Sequence, residues 1–200
     1  MPLDEYRKKR NFRATPEPAG RVQHSRHDRI FVVQKHDASH LHYDFRLEMN
    51  GVLVSWAVPK GPTLDPAIKR MATMTEDHPL QYAGFEGVIP EGEYGAGTMM
   101  VWDCGIYETE DSQPAEDHLA AGELKVVLHG KKLRGAFVLI HTGKRAAKPR
   151  EKSRWLLIKR RDDYAKAGWN PEDARLSRSV LTGRTLDEIE HGRSARKRAA

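Results

Sequence analysis

The chain has 200 residues, of which 34 are Lys or Arg and 28 are Asp or Glu, giving a formal charge of +6. That length suits one domain with a sizeable core and leaves no room for a second full one, and the charge favours polyanionic partners. A single cysteine, Cys104, excludes an internal disulfide framework and a CxxC metal knuckle; with no apolar leader and no run of about eighteen apolar residues, the expected setting is a soluble protein of the cytoplasm with no membrane partner.

Residues 1–29 are polar and basic, broken by "TPEPAG", and read as an arm lying over the domain or partly disordered. From Ile30 the pattern changes to short β-like runs: "IFVVQKH", "LHYDFRLEM", "VLVSWAVP", "TMMVWDCGIYE", "LKVVLHG", "AFVLIHTG" and "WLLIKRR", punctuated by Gly, Pro, Asn and Asp. Seven or so strands with little helix predict a mainly β domain over residues 30–190, an antiparallel sheet closed into a barrel or folded into a sandwich. "TLDPAIKRM" reads as a short helix and "SQPAEDHLAAGE" as a helix or surface loop. Towards the end, Asn170 is placed to cap a helix with Pro171 in its first position, and "TLDEIEHG" is another capped segment. "KRAAKPREKSR", residues 144–154, reads as an exposed basic loop, and residues 191–200 as a basic solvated tail.

Asn50-Gly51 between two alternating runs is a strong hairpin signal, because a type I′ turn needs φ > 0 at both central residues. It pairs Met49 with Val52, Glu48 with Leu53, Arg46 with Ser55 and Asp44 with Ala57. Alternation then gives one apolar face, Tyr43, Phe45, Leu47 and Met49 with Val52, Val54, Trp56 and Val58. The other face carries His42, Asp44, Arg46 and Glu48 opposite the small Ser55 and Ala57, which leaves a hollow. His36 ends the preceding run, and a short connection brings it beside His42. Two imidazoles and a carboxylate suit Mn²⁺, Fe²⁺ or Zn²⁺ with coordination positions left open. Arg46 points to the same side and offers a clamp for a phosphate oxygen. The bland alternative is a polar surface.

Further on, Glu76, His78 and Tyr82 form a compact polar group, with His78 held before a proline in extended or turn backbone. The glycines of "GEYGAG" lack P-loop spacing and read as turn formers. Lys60 and Arg70 are candidate phosphate contacts that more often prove to be surface charges. His129, His141 and Cys104 have no evident partner set and read as structural, as Trp155 and Trp169 read as core or interface anchors.

The stretches "FVVQKHDASHLHYDFRLEMNGVLVSWAVPKGP", "EDHPLQYAGFEGVIPEGEYGAGTMMVWDCG" and "WLLIKRRD" together closely resemble the 3′-phosphoesterase domain of bacterial DNA ligase D and its stand-alone relatives, over nearly the whole chain. The resemblance implies a small curved β-barrel with a few short flanking helices and a Mn²⁺-dependent enzyme, one ion most simply, that trims DNA 3′ ends in end-joining repair. Such domains remove a terminal ribonucleoside from a primer-template and then hydrolyse the 3′-phosphate left behind. By motif, His36, His42 and Asp44 would be metal ligands. Arg46 and His78 would hold the scissile phosphate, with His78 able to protonate the leaving oxygen and Tyr82 in support. Gln34, Glu76 and, from the arm, Arg10 and Glu17 match further site positions; Lys60 and Arg70 match more weakly. Asn11 departs from the pattern, where an aspartate is common, and raises the expectation of a weaker phosphomonoesterase step.

Two rival classes remain at this level. One is an Fe²⁺ oxygenase on a β-barrel with His141 as remote ligand; the other is a non-catalytic nucleic-acid-binding repair module. The sequence has no KxDG adenylation motif. Its initial methionine and basic tail suggest a stand-alone, nucleoid-associated protein that would meet a ligase, a polymerase and Ku in trans.

Overall fold

A computed structural model of the chain describes residues 2–23, 29–111, 113–143 and 153–195. Its strands in chain order are β1 (Ile30–Asp37), β2 (Leu41–Met49), β3 (Val52–Val58), β4 (Lys69–Met74), β5 (His78–Pro79), β6 (Gly87–Ile89), β7 (Gly97–Thr109), β8 (Glu123–Gly130), β9 (Arg134–His141) and β10 (Arg154–Lys159). Eight of them close a ring in the order β1-β2-β3-β4-β10-β9-β8-β7 and back to β1, while β5 and β6 add to β3 and β7. Every pairing is antiparallel. The fold is therefore a mainly β closed barrel, and closure satisfies the edge groups that an open sheet would leave exposed.

The barrel closes because most strands present one apolar face inward. Trp56, Trp102, Trp155, Phe45, Phe137 and Leu139 are all fully buried in one interior cluster. The β2–β3 hairpin has the expected register, Met49 with Val52 through Asp44 with Ala57. Asn50 and Gly51 take φ of 51° and 80°. A Cβ on Gly51 would also stand 2.7 Å from the Gln23 carbonyl oxygen. A second, smaller cluster of Tyr6, Val32, Leu53, Tyr82, Met99 and Val101 packs outside the wall. There the arm, with its short helix α1 (Asp4–Lys8), lies against β1, β3 and β7.

Two local expectations are corrected. "TLDPAIKRM" makes no helix: Asp65 accepts the Ala67 and Gly168 N–H groups in a turn, and β4 begins at Lys69. Ala72 and Met74 alternate into the core there, joining β3 to β10. Nor does Asn170 cap a helix at Pro171; its side chain accepts the Glu172 N–H in a tight turn, and only a 3₁₀ turn (Ala174–Leu176) follows. The segment left open between helix and surface loop is a helix, and the capped segment after Thr185 forms as expected. α2 (Ala115–Ala121) ends at Gly122 with φ of 81°, and α3 (Leu186–Glu190) carries a full capping box between Thr185 and Glu188. Residues 144–152 of the expected basic loop and 196–200 of the tail lie outside the described residues. Among the described residues no helix is long and apolar enough to cross a membrane.

Candidate metal and phosphate site

The period of two that sends Tyr43, Phe45 and Leu47 into the barrel turns His42, Asp44 and Arg46 to its outer wall. On the neighbouring strand, Gln34 and His36 stand opposite Asp44 and His42. The result is a cleft on the outside of β1, β2 and β3, lined by His36, His42, Asp44, Arg46, Ala57 and His78, with Arg10 and Tyr94 at its rim. The site is on the barrel's flank.

His36 and His42 face one carboxylate. His36 Nδ1 and His42 Nε2 each lie 3.8 Å from Asp44 Oδ2, and the ligand atoms of all three residues fall within 4.8 Å of one another. That is too far for hydrogen bonds and close to the spacing of neighbouring ligands bonded to a shared ion at about 2.0–2.2 Å. The far ring nitrogens are already engaged: His36 Nε2 with the Gly95 carbonyl and His42 Nδ1 with the His40 carbonyl, both at 2.9 Å. Donating those N–H groups to carbonyls leaves the nitrogens beside Asp44 as lone pairs, the tautomers a metal ligand needs. Burial, offset by Asp44, holds the His36 pKa below its ordinary value and keeps the ring in the neutral, ligating form. The donor set thus fits a divalent cation. His40, whose ring plays no part in it, contributes its backbone oxygen.

Beyond Asp44 lies a buried cationic group. Arg46 is 2 % exposed. It donates Nε to Gln34 Oε1 (2.8 Å) and Nη1 to Ser55 Oγ (2.8 Å), and its Nη2 is 3.2 Å from Asp44 Oδ2. Nη1 also faces His78 Nδ1 at 2.9 Å, so of a guanidinium's five N–H donors four fix the orientation and one, on Nη2, is left for the cleft. Gln34 Nε2 in turn donates to the Tyr82 and Phe85 carbonyls, tying Arg46 to the 3₁₀ turn Leu80–Gly84. His78 Nδ1 is 2.9 Å from both Arg46 Nη1 and the Glu76 carbonyl, and its Nε2 is 3.1 Å from Arg10 Nη2. Burial first, then the Arg46 and Arg10 charges, push its pKa well below the usual histidine range.

The arm completes this network. Arg10 donates Nε to Glu17 (2.8 Å) and Nη1 to Glu76 (3.1 Å), and Lys9 pairs with the other Glu76 oxygen at 3.1 Å. Glu17 Oε1 also accepts the Tyr82 hydroxyl at 2.8 Å. Burial and Glu17 together hold the Tyr82 hydroxyl far above the ordinary tyrosine pKa, so it remains a donor. Burial opposes the charge on Arg10, but Glu17 and Glu76 keep it firmly protonated.

Ten of the twelve residues singled out in the sequence therefore meet in one connected group: His36, His42, Asp44, Arg46, Gln34, Glu76, His78, Tyr82, Arg10 and Glu17. Lys60 and Arg70 do not. Lys60 is exposed in the turn after β3. Arg70 stands opposite Leu157, a core residue, so it lies on the inner side of β4, away from the cleft. His141 packs its ring on Trp155, 5.1 Å between centroids, and does not join the metal-ligand group. Trp155 is a core residue, Trp169 packs against the core, and Cys104 is half-buried on the outer cluster. Four contributors were not foreseen. Ser55 was read only as small, Tyr94 only as part of a turn, Lys9 only as arm charge, and the Gly95 carbonyl carries no side-chain signal at all.

A two-histidine, one-carboxylate group beside buried arginines on the flank of a closed antiparallel barrel defines a candidate site for a cation and an anionic group. Comparison with known proteins narrows it. Residues 34–141, more than half of the chain, match the family described as the DNA ligase D 3′-phosphoesterase domain. The chain belongs to that family. It is 51 % identical over 189 residues to the multifunctional non-homologous end joining protein LigD of Pseudomonas aeruginosa, covering 92 % of this chain and 22 % of that protein. It is 48 % identical over 141 residues to the multifunctional non-homologous end joining DNA repair protein LigD of Mycobacterium tuberculosis, and 47 % over 148 residues to the LigD of Mycolicibacterium smegmatis, each covering 70 % of this chain and 18 % and 19 % of the relative. The chain spans about a fifth of the length of these relatives.

Proposed function

We propose that this protein binds one divalent cation, Mn²⁺ by preference, at His36, His42 and Asp44, and hydrolyses phosphate esters at DNA 3′ ends during end joining. Its substrates would be primer-template ends bearing a terminal ribonucleoside or a 3′-phosphate. The observation that carries the reading is the placement of a pre-oriented ligand set and a fixed Arg46 in one cleft, sharing Asp44 between them.

A bound cation would lower the pKa of a coordinated water and neutralise phosphate charge. The chain's own groups do the rest. Arg46, immobilised by Gln34 and Ser55, donates its remaining Nη2 N–H to a phosphate oxygen as charge builds on it, without reorganising. Arg10, braced by Glu17 and Glu76, adds a second guanidinium on the far side of His78. His78 lies between them within reach of a leaving oxygen, and an arriving phosphate would offset the two positive charges that keep it neutral. Lys9 and the net positive charge favour approach of a polyanion with little preference for sequence. A ligase, a polymerase and Ku are the partners such an activity would serve, at the nucleoid.

Asn11 is exposed, and its side-chain oxygen accepts the Arg13 N–H. It makes no bond to Arg10 or Glu17, and without a carboxylate there the phosphomonoesterase step is expected to be the slower one. Equal rates on 3′-phosphate and 3′-ribonucleoside primers would overturn that expectation.

The test is a 5′-labelled primer-template ending in one ribonucleotide, incubated with Mn²⁺ and the wild type, His42→Ala or His78→Ala. The wild type should give 3′-phosphate and then 3′-OH products, and the two variants should lose at least 100-fold in rate. No product from the wild type, or unchanged behaviour of His42→Ala, would return the protein to a non-catalytic nucleic-acid-binding role.

A further inference from the structure

An open groove runs on from the cleft, walled by the arm from Lys8 to Asn11 and by the turn from Gly92 to Tyr94. Arg10 and Tyr94 line both, so the groove begins where the cleft ends. Tyr94 is 49 % exposed, yet its turn is restrained. Glu93 N–H donates to the Pro90 carbonyl, Ala96 N–H donates to the Glu93 carbonyl, and His36 holds the Gly95 carbonyl. Gly92 and Gly95 take φ of 89° and 78°, which lets the chain reverse sharply on both sides of the ring. Lys9 Nζ and the Arg10 guanidinium stand over that ring, 5.0 Å and 5.5 Å from its centroid.

Solvent-exposed aromatic rings are usually laid down on a core. This one is presented on a restrained turn with two cationic side chains beside it. A half-open ring flanked by basic side chains is how single-stranded nucleic-acid sites take up a base, because every base has a π-face.

The order of groups gives its direction. His78 Nε2 opens onto Arg10, and Arg10 leads to Tyr94. An oxygen within reach of His78 therefore carries whatever is attached to it along Arg10 into the groove. We infer that the groove seats the nucleoside that leaves, and that Tyr94 stacks on its base. In the reaction, water adds its hydroxyl to phosphorus as the P–O5′ bond breaks, and O5′ departs with a proton as the free nucleoside. Tyr94 is thus a specificity-determining residue that touches the base and not the reacting atoms. This inference rests on the phosphoesterase reading above.

The experiment separates the two. Binding of the full chain is measured by fluorescence anisotropy in EDTA, so that no turnover occurs, with two primer-templates that differ only in the last residue: a ribonucleotide with adenine, or the same ribose without a base. The wild type should bind the base-bearing end on the order of tenfold more tightly. Tyr94→Phe should keep that ratio, and Tyr94→Ala should bring it near one with an unchanged melting temperature. The same ends are then cleaved with Mn²⁺, where the ratio of kcat/KM values should follow the binding ratio. Equal binding of the two ends by the wild type, or a ratio that survives Tyr94→Ala, overturns the inference while leaving the phosphoesterase reading intact. Failure of the wild type to cleave either end overturns both.

Discussion

The His78 imidazole is set between two guanidinium groups, and no placement of a single ring proton satisfies all of its neighbours. With the proton on Nδ1 the ring donates to the Glu76 carbonyl and accepts from Arg10 at Nε2 but meets an Arg46 Nη1 hydrogen; with it on Nε2 the ring accepts from Arg46 and meets Arg10. In either tautomer the neutral ring accepts from one guanidinium and is crowded by the other, and negative charge arriving in the cleft would offset both and favour protonation. Nitrogen-15 NMR should find its ring neutral at pH 6, with the titration moving upward on addition of inorganic phosphate. A ring already protonated at pH 6 would contradict this. The Gln34 amide bonds to Arg46 on one side and to two backbone carbonyls on the other, not to the proposed metal ligands. Gln34→Ala should cost about 10- to 100-fold in kcat while Mn²⁺ affinity, read by calorimetry, changes less than about threefold. Next to the site, Asp77 has its pKa raised to about 6, by burial first and by Glu76 second. The folded chain then holds a proton between about pH 4 and 6 that the unfolded chain releases, so this contribution is present in acid and lost as pH rises through 6. Asp77→Asn mimics the protonated group and should stabilise the protein at pH 7.5 by about 1–2 kcal/mol, less than the full shift because the group is partly exposed, with little effect at pH 4.5. Urea denaturation at both pH values checks it.

The arm and the β2–β3 hairpin meet the chemistry from opposite directions. The arm is held by a few buried polar contacts: Tyr6 donates its hydroxyl to the Pro18 carbonyl, and Glu17 receives Arg10, Thr15 and Tyr82. Glu17→Gln leaves a buried guanidinium without its nearest counter-charge, and should cost about 3–5 kcal/mol of arm docking. Hydrogen exchange would show this as lost protection in residues 3–18 with the barrel strands unchanged. The hairpin instead is fixed by its turn. Gly51→Ala places a methyl group against the Gln23 carbonyl at positive φ and should lower stability by about 1–2 kcal/mol. These two elements also mark what can be read from sequence. Period-two alternation and Asn-Gly set the hairpin register because both are local, and the register alone sorts His42, Asp44 and Arg46 from Tyr43, Phe45 and Leu47. The arm has no such pattern; that Arg10 and Glu17 belong to the site followed only from family resemblance, since contacts between residues 10 and 76 or 17 and 82 depend on the closed barrel. β4 was hidden for a third reason. A window ending at Met71 holds Pro and Ala in helix-like spacing, and the alternation of Arg70, Ala72 and Met74 shows only when it is extended.

As a whole molecule, the protein divides its work between the two sides of one wall. The interior holds the large apolar side chains, and the outer flank holds the charged groups of the candidate site. Because the groove beside that flank is basic, with Lys8, Lys9 and Arg10 against Glu93, affinity for duplex primer-templates should fall steeply between about 50 and 200 mM salt, as log K against log salt with a slope set by the phosphates contacted. Titrations across that range read the slope, and a flat profile would place the DNA elsewhere. Strand β2 carries both duties on alternate residues. Its tolerance is therefore a matter of arithmetic: substitutions can be judged one at a time, but the insertion of a single residue between His42 and Arg46 would turn ligand positions inward and tryptophan-contacting positions outward. An insertion of two would restore the parity. Among relatives of this chain, the length of β2 should prove harder to change than any one of its side chains.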